Sequence, residues 1–404
     1  MTNELFRSAR HAAFAPRLSR RNFGIGLAAL GLSGCADMRG IGLSGSANAS
    51  EGRAGPSLDQ DLRPAPNAAY DAWVASFRAR AGNYGISERT LAAAFRGTGY
   101  LPGVVKRDRN QTEFTRTLED YLAIAASDER VAKGRAAFQR HRSTLGALEA
   151  RYGVDARIIT AIWGLESFYG ERRGDVPVIS ATSTLAFDGR RGAFFEKQLV
   201  AALKIIQNGD IAADRMTGSW AGAMGHTQFI PTSYELFAVD FDGDGRRDIW
   251  SEDPSDALAS TAAYLAKNGW TSGTPWGREV LPGQNASGEI IQPQPGGPRF
   301  AVTGNFRAIK RYNNSDSYAI GVGHLADRIG GAGSLQSSFP PDATGLTKDD
   351  RVALQSRLTA RGFDTGGTDG VIGPNTRSAI SAYQSSIGVA ATGEPSTELL
   401  RSLR

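Results

Sequence analysis

A carboxylate set into an apolar helical stripe constrains this chain more than any other feature. Residues 154–170 read VDARIITAIWGLESFYG. Asp155 stands where an N-cap side chain accepts the first free amides, and Gly170 stands where a helix stops. On a helix, Ile159, Ile162 and Trp163 lie seven, four and three residues before Glu166, and Tyr169 lies three after it. Glu166 therefore shares a face with side chains that belong in a core. Burial disfavours an ionised carboxylate, so its pKa should rise. An acid still protonated near neutral pH can donate its proton to a leaving oxygen. A helix-end Glu paired with Arg172 or Arg173 is the structural alternative, and this helix alone does not choose between them.

A chain of 404 residues predicts two or three domains and enough apolar surface for a buried core. Its net charge is +5. Arg7, Arg10, Arg17, Arg20 and Arg21 precede Cys35 against Glu4 alone, which accounts for +4 and leaves +1 for the remainder. The basic excess belongs to the leader and gives no reason to expect a nucleic-acid partner. One cysteine allows no intramolecular disulfide and no cysteine-built zinc site. Four histidines make a His-rich metal site equally poor as a reading.

In chain order, residues 1–34 read as a signal peptide. Ser19-Arg20-Arg21-Asn22-Phe23 resembles a twin-arginine signal, and the apolar run after it is too short to span a bilayer. Leu32-Ser33-Gly34-Cys35 resembles a lipobox, with Cys35 the lipidated residue and Ala36 favouring the outer membrane; an ordinary signal peptide is the alternative. Residues 35–66, rich in Gly, Ser, Ala and Pro, are expected to be a flexible tether. Residues 67–331 are expected to form a mainly α body with a small β element near 270–304. Helices are expected over 70–81, 88–96, 112–126, 131–152, 194–207 and 256–268, with a loop over 174–191. Residues 332–343 read as a linker and 344–404 as a small helical domain.

Three further stretches carry chemistry. Residues 218–234, GSWAGAMGHTQFIPTSY, combine three closely spaced glycines with the polar Ser219 and Gln228 and the apolar Trp220, Met224 and Phe229. Sugars need both hydrogen bonds and flat apolar faces. A Gly-rich turn feeding a helix is the bland alternative. Asp240, Asp242, Asp244, Gly245 and Asp248 match positions one, three, five, six and nine of a calcium loop, but Ser251 occupies position twelve, where a Glu is expected. A solvated acidic turn is the alternative. In residues 305–329, Asn313 sits in a polar turn after Tyr312, and Tyr318 follows on a helix.

These motifs resemble the lytic murein transglycosylase B family, whose members cleave bacterial peptidoglycan. The carriers are Trp163-Gly164-Leu165-Glu166-Ser167, residues 218–234 and Arg311-Tyr312-Asn313-Asn314-Ser315. The tail, through Asp369-Gly370 and Arg377-Ser378-Ala379-Ile380, resembles the type 1 peptidoglycan-binding domain, a three-helix module. The resemblance implies a lysozyme-like helical catalytic body, with Glu166 as single acid/base. It implies substrate contacts from Ser219, Gln228, Asn313, Tyr312, Tyr318 and Tyr121. It implies no cofactor for the chemistry, with the Asp240, Asp242, Asp244 and Asp248 loop as a structural calcium site. Glycan strands are the implied partner, with a lipid anchor at Cys35, a monomeric state and a Gram-negative periplasmic location. The implied reaction cleaves the MurNAc-β-1,4-GlcNAc bond and leaves 1,6-anhydro-MurNAc ends. The alternatives are a lysozyme-like hydrolase, using Glu166 with a second acid such as Asp188, and an inert peptidoglycan-binding lipoprotein.

Overall fold

The computed structural model describes residues 58–110 and 116–404. The leader, Cys35 and most of the expected tether lie outside them. The body is built around the helix Ala156–Ser167, capped by the Asp155 side chain, which accepts from Arg157 N at 2.8 Å. Ten of its twelve residues are buried, and Glu166 and Arg157 are the exceptions. Full burial of an Ile or Leu is worth about 1.5–3 kcal/mol, so Ile159, Ile162 and Leu165 hold this helix at the centre. Helices Asp128–Arg140, Arg142–Tyr152, Ser255–Lys267 and Asp316–Ile329 pack around it.

Two elements depart from expectation. The run expected as one helix over 131–152 is broken at His141, whose backbone leaves helical geometry. The His141 ring packs edge-on against Trp163 at 5.4 Å, so the break seats a side chain on the central helix. The expected loop over 174–191 contains the buried helix Val178–Asp188. Its Ser and Thr run suggested a loop because hydroxyls compete for backbone bonds. Here Thr182 donates to Val178 O at 2.7 Å and Ser183 to Ile179 O at 2.6 Å. The remaining hydroxyls fasten neighbours: Ser183 pairs with Tyr70 Oη at 2.7 Å, and Thr184 accepts from Leu101 N at 3.1 Å.

The expected β element is a three-stranded antiparallel sheet. Arg299–Val302 lies between Gly277–Val280 and Glu289–Ile291. A second, two-stranded ladder pairs Val176 with Gly218 and Pro177 with Thr217, joining the chain after the central helix to the glycine-rich stretch. Residues 58–66 are not tether. Leu62 is buried with Leu101 and Val104, and Arg107 binds Asp59 and Asp61 at 2.9 Å each.

The tail folds as helices Lys348–Ala360, Pro374–Ser386 and Thr397–Ser402 around Leu354, Leu358, Ile380 and Leu403. Residues 332–343 do not hang free between the two modules. Gln336 N and Ser337 N donate to the Glu279 carboxylate at 2.9 and 2.7 Å, and Phe339 packs against the body core. No helix among the described residues is long and apolar enough to cross a membrane.

Candidate active site

Glu166 occupies the last turn of the central helix. Among the described residues it has no arginine partner. Arg173 instead donates to Trp250 O at 2.9 Å and Ser251 O at 2.8 Å and pairs with Glu252, while Arg172 lies over the Phe168 ring at 4.7 Å. What Glu166 has is Tyr318, whose hydroxyl donates to its Oε1 at 2.6 Å. Burial pushes the Glu166 carboxyl up to about 7, and the Tyr318 hydrogen bond offsets part of the rise. Among the described residues, no second carboxylate contributes. Asp188, the conceivable second acid, is paired with Arg109 at 2.6 Å.

The end of this helix is unusual. Phe168, Tyr169 and Gly170 all have positive φ, at 54°, 60° and 89°. A bulky residue in that region costs about 1–2 kcal/mol, so surrounding contacts must hold it there. Tyr169 donates to Arg130 O at 2.8 Å and packs edge-on to Trp163 at 5.8 Å. Its ring lies where Gly164 has no side chain: a Cβ there would be 2.5 Å from Tyr169 Cζ. The tyrosine folds back on its own helix only because residue 164 is glycine.

Three sequence-distant stretches meet here. Ser167 Oγ donates to His226 O at 2.5 Å, tying the Glu166 helix to the glycine-rich stretch. Tyr312 Oη donates to Thr227 O at 2.6 Å, tying that stretch to residues 305–329. The Tyr318–Glu166 bond closes the triangle. Tyr121 and Tyr312 are both pushed up by burial and by the Glu166 charge, which places them in its surroundings. Tyr121 Oη and Asn313 Oδ1 are buried without a hydrogen-bond partner among the described residues. Buried polar atoms are normally satisfied, so each of the two is a group able to take a further hydrogen bond.

Ser219 and Gln228 are differently employed. Ser219 Oγ accepts from Ala223 N at 3.1 Å inside a tight turn. Gln228, at φ 53°, donates its amide nitrogen to Arg173 O at 3.0 Å and Gly225 O at 2.9 Å. Its side-chain oxygen remains as an acceptor beside a shallow pocket that Phe229, Tyr264 and Tyr312 also line. His226 has no role in the sequence reading. Its Nδ1 accepts from Trp163 Nε1 at 3.1 Å and its Nε2–H donates to Ser251 O at 2.7 Å, a neutral tautomer that burial favours. Its place within the glycine-rich motif was the signal available.

The acidic loop brings together three of its four expected ligands. Carboxylate oxygens of Asp240, Asp242 and Asp244 lie within 4.8 Å of one another, a donor set suited to a hard cation. Asp248 is not among them; its Oδ1 accepts from Trp250 N and Ser251 N at 2.8 and 3.0 Å. The acids that follow Ser251 are otherwise engaged. Glu252 binds Arg173, Asp253 binds Ser255, and Asp256 accepts from Phe241 N and Asp248 N at 2.8 Å each.

Comparison with known proteins agrees with this geometry. The model of the transglycosylase SLT domain family matches residues 69–292 and 281–327. The chain belongs to this family. Residues 347–403 match the peptidoglycan-binding domain family. This SLT-family chain is 32% identical to membrane-bound lytic murein transglycosylase B of Escherichia coli strain K12 over 233 residues, 50% of this chain and 64% of that protein. It thus spans under two thirds of that relative's length. SltB3 of Pseudomonas aeruginosa, solved in complex with NAG-anhNAM-pentapeptide, is 44% identical. That match covers 84% of this chain and all of that one, at a TM-score of 0.66. SLT35 of Escherichia coli, solved in complex with calcium, is 26% identical over 65% of this chain and 93% of its own, with a TM-score of 0.56. The mainly helical fold and the two modules expected from the sequence agree with these findings.

The Tyr318 bond makes one prediction. Because it favours the charged form of Glu166, Tyr318→Phe should raise the Glu166 pKa further. If activity needs the protonated acid, the alkaline limb of kcat/KM should move to higher pH in the variant, with a lower maximum. A limb that stays in place or moves down would remove Tyr318 from the titration.

Proposed function

We propose that the chain is a lytic transglycosylase that cleaves the MurNAc-β-1,4-GlcNAc bond of peptidoglycan without water. One observation carries this reading: among the described residues, a single carboxyl, raised to about 7 by burial, stands with no second acid acting on it. Hydrolysing glycosidases need a second carboxylate about 5–9.5 Å away to attack or to activate water. Glu166 would protonate the glycosidic oxygen as its bond to C1 breaks. The resulting carboxylate would accept the proton of the muramic C6 hydroxyl, whose oxygen bonds to C1 and closes a 1,6-anhydro ring. The substrate's own N-acetyl oxygen can stabilise the positive charge developing at C1. Tyr318 holds Glu166, and the unpaired Tyr121 and Asn313 groups are suited to sugar hydroxyl and amide groups. The anhydro-sugar ligand in the SltB3 structure supports the same product. Mass spectrometry of muropeptides released from sacculi tests it: anhydro ends are expected, and reducing ends would identify a hydrolase instead.

The three converging carboxylates support a structural calcium ion, which would hold the loop after the glycine-rich stretch and take no part in bond cleavage. A ligand that binds only the folded state at a hundred times its Kd stabilises by about 2.7 kcal/mol. Calcium should therefore raise Tm, and Asp240→Asn with Asp244→Asn should remove the rise. An unchanged shift in that variant would refute the site. The C-terminal module supports attachment to the wall, and the leader supports export to the periplasm with a lipid at Cys35. Palmitate labelling that survives Cys35→Ala would refute the anchor.

A further inference from the structure

One side chain of the C-terminal module reaches across to the active-site body. Arg351, on helix Lys348–Ala360, is only 3% exposed. Its guanidinium serves three parts of the chain. Within its own module, Nε donates to Gly370 O at 2.7 Å and Nη1 to Leu346 O at 3.2 Å. Nη1 also reaches Asp342 Oδ2 in the linker at 3.1 Å. Nη2 crosses to the body, donating to Glu119 Oε2 at 2.6 Å and Asp120 Oδ1 at 3.1 Å. The Glu119 side chain is itself only 11% exposed. Fork geometry makes arginine the side chain that can hold several acceptors at fixed angles.

Glu119 and Asp120 lie in the first turn of helix Leu118–Ala125, and the next residue is Tyr121. Tyr121 packs into the side of helix Asp316–Ile329, where a Cβ on Gly321 would fall 2.7 Å from its ring. That helix carries Tyr318, the partner of Glu166. The far end of the Tyr121 helix is fixed by Arg328, which donates to Ala126 O at 2.5 Å. Its near end is fixed by Gln294, which accepts from Glu119 N at 3.1 Å, and by Arg351.

We propose that Arg351 is a positioning residue for the reaction: reaching across from the wall-binding module, it sets the first turn of helix Leu118–Ala125 and so the place of Tyr121 beside Glu166. The module then has a second task besides holding the wall, since it completes the reaction site. This rests on the transglycosylase reading given above.

The test uses the full chain with Glu119→Gln and Asp120→Asn, which cuts the contact from the body side and spares the bonds within the module. On short soluble muropeptide fragments, kcat should fall roughly ten- to a hundredfold, the scale expected of a small misplacement of a reacting group. Sacculus binding should stay unchanged. In a Tyr121→Phe background the same pair should have little further effect. An unchanged kcat, or an equal loss in that background, would overturn the proposal. If the wild-type chain releases no fragments at all, the transglycosylase reading fails instead. Amide hydrogen exchange over residues 118–125 then decides: faster exchange in the variant supports the positioning role, and unchanged exchange overturns it.

Discussion

Glu166→Gln is expected to abolish fragment release and, at the same time, to make the protein more heat-resistant above neutral pH. The acid is raised from 4.5 to about 7 in the folded chain. Below pH 4.5 it is protonated whether the chain is folded or not, and it contributes no pH-dependent term. Between 4.5 and 7 the unfolded chain releases the proton and the folded chain keeps it, so stability falls as pH rises. Above 7 the loss is complete and amounts to at most about 3–4 kcal/mol, taking about 1.4 kcal/mol per pKa unit. A glutamine keeps an oxygen for the Tyr318 hydroxyl and has no proton to lose. Thermal unfolding of both proteins at pH 4 and pH 8 checks this. The Tm difference should be near zero at pH 4 and clearly in favour of the variant at pH 8. Equal differences at both values would mean that Glu166 is not a raised acid.

Gly164→Ala should be the most damaging one-methyl change in the central helix. The added carbon would lie 2.5 Å from both Cζ and Oη of Tyr169. The ring has little room to retreat, because its hydroxyl is bound to Arg130 O and lies against Gly134. Overpacking of this kind costs about 1–3 kcal/mol, against a gain of up to about 1 kcal/mol from replacing a mid-helix glycine. Residue 164 is also two positions from Glu166, so activity should fall further than stability does. Gly146→Ala, on helix Arg142–Tyr152, is the control: nothing lies within 4 Å of its added carbon, and it should be neutral or mildly stabilising. Equal Tm values for the two variants would show that Tyr169 does not need the space.

Periodicity made the Glu166 helix legible, because nearly every neighbour of that carboxylate in the helix is apolar and each found the core. The Asn-turn stretch was legible as a motif, but the hydrogen bond from Tyr318 to Glu166 spans 152 residues and no local pattern encodes it. Helix Val178–Asp188 was missed because its hydroxyls, a loop signal in isolation, bond back to their own helix once it is buried. Asp248 and Ser251 were read by register along a calcium loop, and register does not say which backbone amides a carboxylate will meet first. Arg351 has no local signal in the sequence. Its burial depends on acids that stand 231 and 232 residues earlier in the chain.

The left-handed pair Phe168–Tyr169 bears on attempts to improve this protein by directed evolution. Gly or Asn at either position would relieve about 1–2 kcal/mol of backbone cost, but losing a buried aromatic ring costs about 3–5 kcal/mol. Random variation screened only for survival on heating should therefore keep both aromatics, and libraries that spare these two positions lose no thermal gains.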